Sequence, residues 1–74
     1  MKRKTISQQV PRGQIDWLLA RVNVCTPDEE IAADFAHHAT INNASPALIR
    51  AVVEYALKRH HKNLADYRAV MRGF

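Results

Sequence analysis

Two adjacent histidine pairs and one cysteine are the residues of this chain best suited to metal binding or nucleophilic chemistry. The pairs are His37-His38 and His60-His61, and the cysteine is Cys25. Neighbouring side chains on a helix point about 100° apart, so neither pair alone can chelate one ion as histidines at i and i+4 do. A metal site would need one histidine from each pair together with Cys25 or an acid. We therefore interpret the histidines as partly exposed helix-end residues that favour the negative end of a helix dipole.

Patterns typical of enzymes and of cofactor binding are missing from the sequence. The chain contains no Cys-x-x-Cys and no His-Glu-x-x-His, and its only glycines, Gly13 and Gly73, form no phosphate-binding loop. Cys25 and a distant histidine are formally a nucleophile and a base, but a lone cysteine beside a helix start is more typical of a small packed residue. We expect no enzyme activity, no cofactor, and no catalytic or metal-binding residue.

The length of 74 residues predicts one small domain. Such a chain buries only about 60% of the surface that it exposes when unfolded, so it relies on close helix packing or on a partner. A single cysteine forms no intrachain disulfide, which favours a reducing compartment. The longest apolar run, residues 17–20, is far shorter than the ~18 residues of a membrane span, and no apolar stretch follows the charged start. We expect a cytoplasmic protein of a bacterial host cell, without a membrane partner.

Hydrophobic spacing predicts an all-α fold of three or four short helices. We expect a flexible, extended basic arm over residues 1–12, which is poor in apolar residues and bounded by Pro11, and a single helical domain over residues 13–74. A first helix from Gly13 to Ala20 is indicated by one apolar face, with Trp17 at its edge. That face comprises Ile15, Leu18, Leu19 and Val22. Trp17 is either a core anchor or an interface hot spot, and in so small a domain the core role is favoured.

The next segment, residues 21–25, alternates polar and apolar side chains and includes two β-branched residues. This pattern is typical of a short strand or an extended link, and the sequence alone leaves both open.

Cap signals predict where the later helices begin. Thr26-Pro27-Asp28-Glu29 has the composition of a capping box, with Thr26 as the cap of the second helix. Ser45-Pro46 predicts the start of a third helix that runs to about His61. Asn63 resembles a further cap and predicts a separate terminal helix from Leu64 to about Met71. The core stripe expected for the third helix is Ile49, Val52, Val53, Ala56 and Leu57.

Charge follows the chain in three blocks. Residues 1–12 contain four basic residues and no acid, a charge of +4; residues 13–39 contain one basic residue and five acids, −4; residues 40–74 contain six basic residues and two acids, again +4. The basic blocks could contact phosphate or an acidic protein surface, whereas the acidic middle would repel DNA. Equally, these charges could be ordinary solvated faces.

Residues 21–60 resemble ribbon-helix-helix repressors. The match consists of the alternating segment Arg21-Val22-Asn23-Val24-Cys25, the capped helix that starts at Thr26, and the second helix that starts at Ser45. The resemblance implies a homodimer joined through its strands, with Arg21, Asn23 and Cys25 facing the major groove of DNA. This chain departs from the family in two ways. A helical pattern precedes the alternating segment, and Cys25 stands where the family has a polar side chain that contacts bases.

The chain as a whole resembles small phage proteins that bind bacterial RNA polymerase. The resemblance covers its size, charged start, helical content and lack of a catalytic motif, and it assigns no site residue. It implies a monomeric, phage-encoded transcription regulator that inhibits initiation or promotes antitermination. We rank a protein partner, RNA polymerase, above nucleic acid because the acidic second helix and the scarcity of base-reading side chains disfavour DNA readout. The residues expected to bind the partner are Lys2, Arg3, Lys4, Arg12, Arg21 and Asn23.

Overall fold

A computed structural model describes residues 9–73 of the chain. Over this range it has three α-helices: α1 (Arg12–Leu19), α2 (Asp28–Ile41) and α3 (Pro46–Arg72). The predicted all-α class is confirmed. Of the predicted basic arm, residues 1–8 lie outside the described range, and Arg12 belongs to α1. Among the described residues, no helix is both long enough and apolar enough to cross a membrane.

The core lies where α1 and α2 pack against the first half of α3. Ile15 of α1 and Ile31 of α2 are the most completely buried large side chains, and Ala56 of α3 has no exposed surface. A side chain as small as Ala56 lets the two helix backbones approach closely. The other apolar residues of the core are Leu19, Phe35, Ala39, Leu48 and Val52.

The buried face of α3 is rotated from the predicted stripe. The buried residues Leu48, Val52, Ala56 and His60 follow one another at intervals of four, whereas Ile49 and Val53 are only half-buried. An i, i+4 row drifts slowly around a helix, so it follows the line along which α2 crosses α3.

The cap predicted for α3 is confirmed, and the cap predicted for α2 is wrong. Ser45 Oγ accepts a hydrogen bond from the amide of Leu48 at 3.1 Å, and Pro46 occupies the first helical position. At α2 the N-cap position is Pro27, with extended backbone angles, and no side chain caps the helix. The Thr26 carbonyl instead binds His60 of α3. Three acidic residues in the first turn of α2 stabilise the positive end of its dipole.

These cap geometries predict different effects of two similar substitutions. Ser45→Ala should lower the free energy of unfolding by about 1 kcal/mol because it removes an observed cap hydrogen bond. Thr26→Ala should change it by less than about 0.5 kcal/mol because no cap is lost. Urea titration of both variants, followed by circular dichroism, measures the difference. A larger loss for Thr26→Ala would contradict the observed start of α2.

Residues 21–25 form turns, so the possible strand is not formed anywhere within residues 9–73. The amides of Arg21 and Val22 bond to carbonyls of the last turn of α1. Asn23 Oδ1 then accepts a hydrogen bond from the amide of Cys25 at 2.8 Å, and the backbone carbonyl of Asn23 accepts one from the amide of Thr26. Asparagine side chains stabilise such turns by bonding to nearby backbone, which competes with an extended strand.

The predicted terminal helix is part of α3 rather than a separate element. Asn63 lies within the continuous 27-residue helix and caps nothing. No glycine or proline interrupts the chain between Pro46 and Arg72, and Lys62 and Asp66 form an i, i+4 ion pair at 3.4 Å across the predicted break. Helix propensity therefore continues past the expected cap.

Candidate protein-binding surface

The outer face of α1 presents the only tryptophan of the chain to solvent. Ile15 and Leu19 point into the core, while Trp17 is 56% exposed. Two residues of helix turn the side-chain direction by about 200°, which places Trp17 opposite Ile15. The prediction that Trp17 anchors the core is therefore wrong.

Arg21 stacks over the exposed ring of Trp17. Its guanidinium carbon lies 4.0 Å from the centroid of the indole, within the range of a cation–π contact. The contact restrains two long side chains without burying either, so both keep an open face. We name Trp17 and Arg21 together the α1 surface.

A polar network on the adjacent side of α1 fixes this helix to α3. The hydroxyl of Tyr55 donates to Asp16 Oδ1 at 2.7 Å, and Arg59 Nε lies 3.5 Å from the same oxygen. Arg12 lies 6.0 Å from the centroid of the Tyr55 ring. The hydrogen bond to Asp16, together with desolvation, raises the pKa of Tyr55 above its usual value of 10.0. Because the neutral phenol is the favoured form, this contribution to stability is present below pH 10.0 and is lost as the pH rises through the raised pKa.

The structure separates Arg12 from Arg21, two of the residues predicted to bind a partner. Arg12 and Arg21 are both exposed at opposite ends of α1. The side-chain oxygen Oδ1 of Asn23 already accepts a hydrogen bond within its own turn, so Asn23 is less suited to contacting a partner. The other three predicted residues, Lys2, Arg3 and Lys4, lie outside the described range. Sequence reasoning assigned Trp17 an interface role only as the alternative to the core role, although its position on the helix relative to Ile15 was a usable signal.

His60 and His61, adjacent in the sequence, occupy different environments. His60 is only 3% exposed, and its Nε2 donates to the Thr26 carbonyl at 2.9 Å. His61, by contrast, is exposed and lies 2.8 Å from Asp28 Oδ2. The interpretation of all four histidines as partly exposed helix-end residues is wrong for His60, which is buried, and neither His60 nor His61 lies at a helix end, since both are in the middle of α3. Between residues 9 and 73, no three His, Cys, Asp or Glu side chains are grouped so that they could hold a metal ion.

The adjacent histidines provide a matched pair of substitutions. His60→Ala should lower the free energy of unfolding by about 1–3 kcal/mol, because it leaves the Thr26 carbonyl without its donor and opens space in the core. His61→Ala should cost less than about 1 kcal/mol, because its ion pair with Asp28 is exposed. Chemical denaturation of both variants under one buffer condition measures these changes. Equal losses would contradict the packing of α3 on the loop before α2.

The α1 surface is suited to binding rather than to reaction. A planar indole and a guanidinium, both partly restrained, can contact a partner's aromatic rings, carboxylates or phosphates. Neither group is a nucleophile or a general base at neutral pH.

Comparisons of this chain with protein-family models, with curated proteins and with solved structures found no match.

Proposed function

We propose that this protein is a non-enzymatic, phage-encoded transcription regulator that binds bacterial RNA polymerase through the α1 surface. It acts in the host cytoplasm, where it inhibits initiation or promotes antitermination. The choice of polymerase comes from the resemblance of the whole chain to small polymerase-binding phage proteins.

The exposure of Trp17 is the observation that supports a binding role most strongly. Tryptophan and arginine are the residues most enriched among those that dominate protein–protein affinity. Here they are adjacent, oriented against each other, and unnecessary to the described core. A small domain gains little stability from exposing a large aromatic ring, so the exposed Trp17 is better explained by a partner.

The charge distribution favours a protein over DNA as that partner. The first half of α2 exposes four acidic residues, whereas the second half of α3 is mainly basic. Opposite charges on separate parts of a surface assist orientation on a protein, while DNA would attract one part and repel the other. The acidic residues are Asp28, Glu29, Glu30 and Asp34.

The alternative, a dimeric ribbon-helix-helix repressor, loses its main support in the turn at residues 21–25. That family needs an extended strand, and Asn23 is committed to an internal hydrogen bond. We therefore do not carry DNA readout forward as a second proposal.

Two assays with purified components test the proposed function. The tagged chain is first mixed with bacterial RNA polymerase, and separately with random-sequence duplex DNA, at two salt concentrations. We expect retention of polymerase and no salt-sensitive retention of DNA. Transcription from a template with one promoter and one terminator then separates reduced initiation from increased read-through. DNA binding without polymerase binding would contradict the proposal.

A further inference from the structure

α2 packs against the first half of α3, and the second half of α3 extends beyond the start of α2. α2 begins at Asp28, which is paired with His61, and the buried residues of α3 end at His60. From residue 61 to Arg72 the helix continues for about 16 Å, at ~1.5 Å per residue. Every residue from 65 to 73 is exposed.

The extension continues the buried row of α3, past His60, into exposed apolar residues. Ala56, His60, Asn63, Tyr67 and Val70 follow one another at intervals of four, three, four and three residues, the spacing of a coiled-coil seam. The exposed fractions are 46% for Tyr67 and 58% for Val70. Met71, 52% exposed, and Leu64 widen the same side. We name Leu64, Tyr67, Val70 and Met71 the α3 seam.

We propose that the α3 seam binds the α3 seam of a second copy of this chain in an antiparallel, twofold-symmetric pair. The proposal goes beyond the α1 surface, with which it shares no residue. It also differs from the monomer that the polymerase-binding resemblance implied.

Charge complementarity selects a second copy and the antiparallel direction. The end of α3 exposes Arg72, while the start of α2 exposes Glu29 and Glu30. In a parallel pair Arg72 of each helix would lie beside Arg72 of the other helix and repel it. In an antiparallel pair the basic end of each α3 approaches the acidic start of α2 in the other copy.

The seam and the charges agree on one register. If Tyr67 packs beside Val70 of the second copy, residue 72 of one helix lies level with residue 65 of the other. Residue 65 is about 6 Å along α3 from His61, where α2 begins. An arginine side chain spans that distance, so Arg72 reaches the acidic residues. Twofold symmetry produces the contact twice.

Sedimentation equilibrium of the full chain over a range of concentrations tests this pairing. The wild-type protein should show twice the mass of one chain. Val70→Asp should raise the dimer dissociation constant by about a hundredfold, because it buries an unpaired carboxylate in the seam. Ile41→Asp is the matched control, since Ile41 is also exposed (60%) but lies at the far end of α2. It should leave the dimer unchanged.

A charge-exchange experiment tests the register. One variant is Arg72→Glu, and the other combines Glu29→Lys with Glu30→Lys. Each alone should be monomeric, because both contacts of its homodimer become repulsive. An equimolar mixture should form a heterodimer, because both contacts then pair opposite charges.

Three results would overturn the proposal. The first is a wild-type protein that stays monomeric at all concentrations. If this monomer binds a synthetic acidic amphipathic helix, the seam belongs to a different partner. The second is Val70→Asp and Ile41→Asp having equal effects. The third is a mixture of the charge variants that stays monomeric. Circular dichroism of each variant verifies that the helices are retained.

Discussion

Phe35→Ala should lower the free energy of unfolding by about 3–5 kcal/mol. Phe35 is only 5% exposed and belongs to the cluster in which α1, α2 and α3 meet. Removing its ring leaves a cavity that surrounding side chains fill only in part. Small domains are stable by about 5–15 kcal/mol, so this loss is a large part of the total. Urea unfolding followed by far-ultraviolet circular dichroism measures it.

Ile41→Ala is the control for this prediction. Ile41 is 60% exposed at the last position of α2, so its truncation should change the free energy of unfolding by less than about 0.5 kcal/mol. Similar losses for Phe35→Ala and Ile41→Ala would mean that α2 packs through a different face.

Trp17→Ala should weaken binding to purified RNA polymerase by about 2 kcal/mol or more, which is about thirtyfold in the dissociation constant. Arg21 should lose its stacking partner in the same variant, so the effect includes both groups. Because Trp17 lies outside the core, the free energy of unfolding should change by less than about 0.5 kcal/mol. Titration of the fluorescently labelled chain with polymerase measures the dissociation constant, and Ile41→Ala again serves as the control.

Two outcomes would contradict this assignment. Unchanged polymerase affinity would remove the α1 surface from the interface. A loss of stability similar to that of Phe35→Ala would mean that Trp17 belongs to the core after all.

Local signals predicted the helices best where few interactions compete. Ser45 and Pro46 specify the start of α3 through one side-chain hydrogen bond and one ring-restricted backbone angle. Asn43, just after the end of α2, has a φ of 63°, in the left-handed region that asparagine tolerates better than most residues. The apolar face of α1 correctly indicated that Ile15 and Leu19 are buried.

Predictions failed where contacts distant in sequence determine the structure. His60 is polar, yet it is buried because the Thr26 carbonyl, 34 residues away, accepts its hydrogen bond. Thr26 contributes its backbone carbonyl to this contact, and its side chain does not cap α2. The failure at Asn63 has a local cause instead: Asn63 resembled a helix start, but helix propensity on both sides of it was sufficient to continue α3.

The candidate site was only partly predictable for a similar reason. Basic charge singled out Arg12 and Arg21 in the sequence, and both are exposed on or beside α1. The core role was favoured over an interface role for Trp17 because a small domain needs large apolar side chains. The rotation of α1 against α3, fixed by Asp16 and Tyr55, instead turns its ring outward.

The presence of a single tryptophan allows a direct test of the central claim that the α1 surface binds polymerase. The chain is labelled with 5-fluorotryptophan, so that fluorine NMR shows one resonance, from Trp17. We predict that this resonance shifts between H₂O and D₂O in the free protein, because the ring is exposed, and that unlabelled RNA polymerase broadens or shifts it while random-sequence DNA does not. A solvent-insensitive resonance, or one that polymerase leaves unchanged at concentrations that saturate binding, would contradict the account.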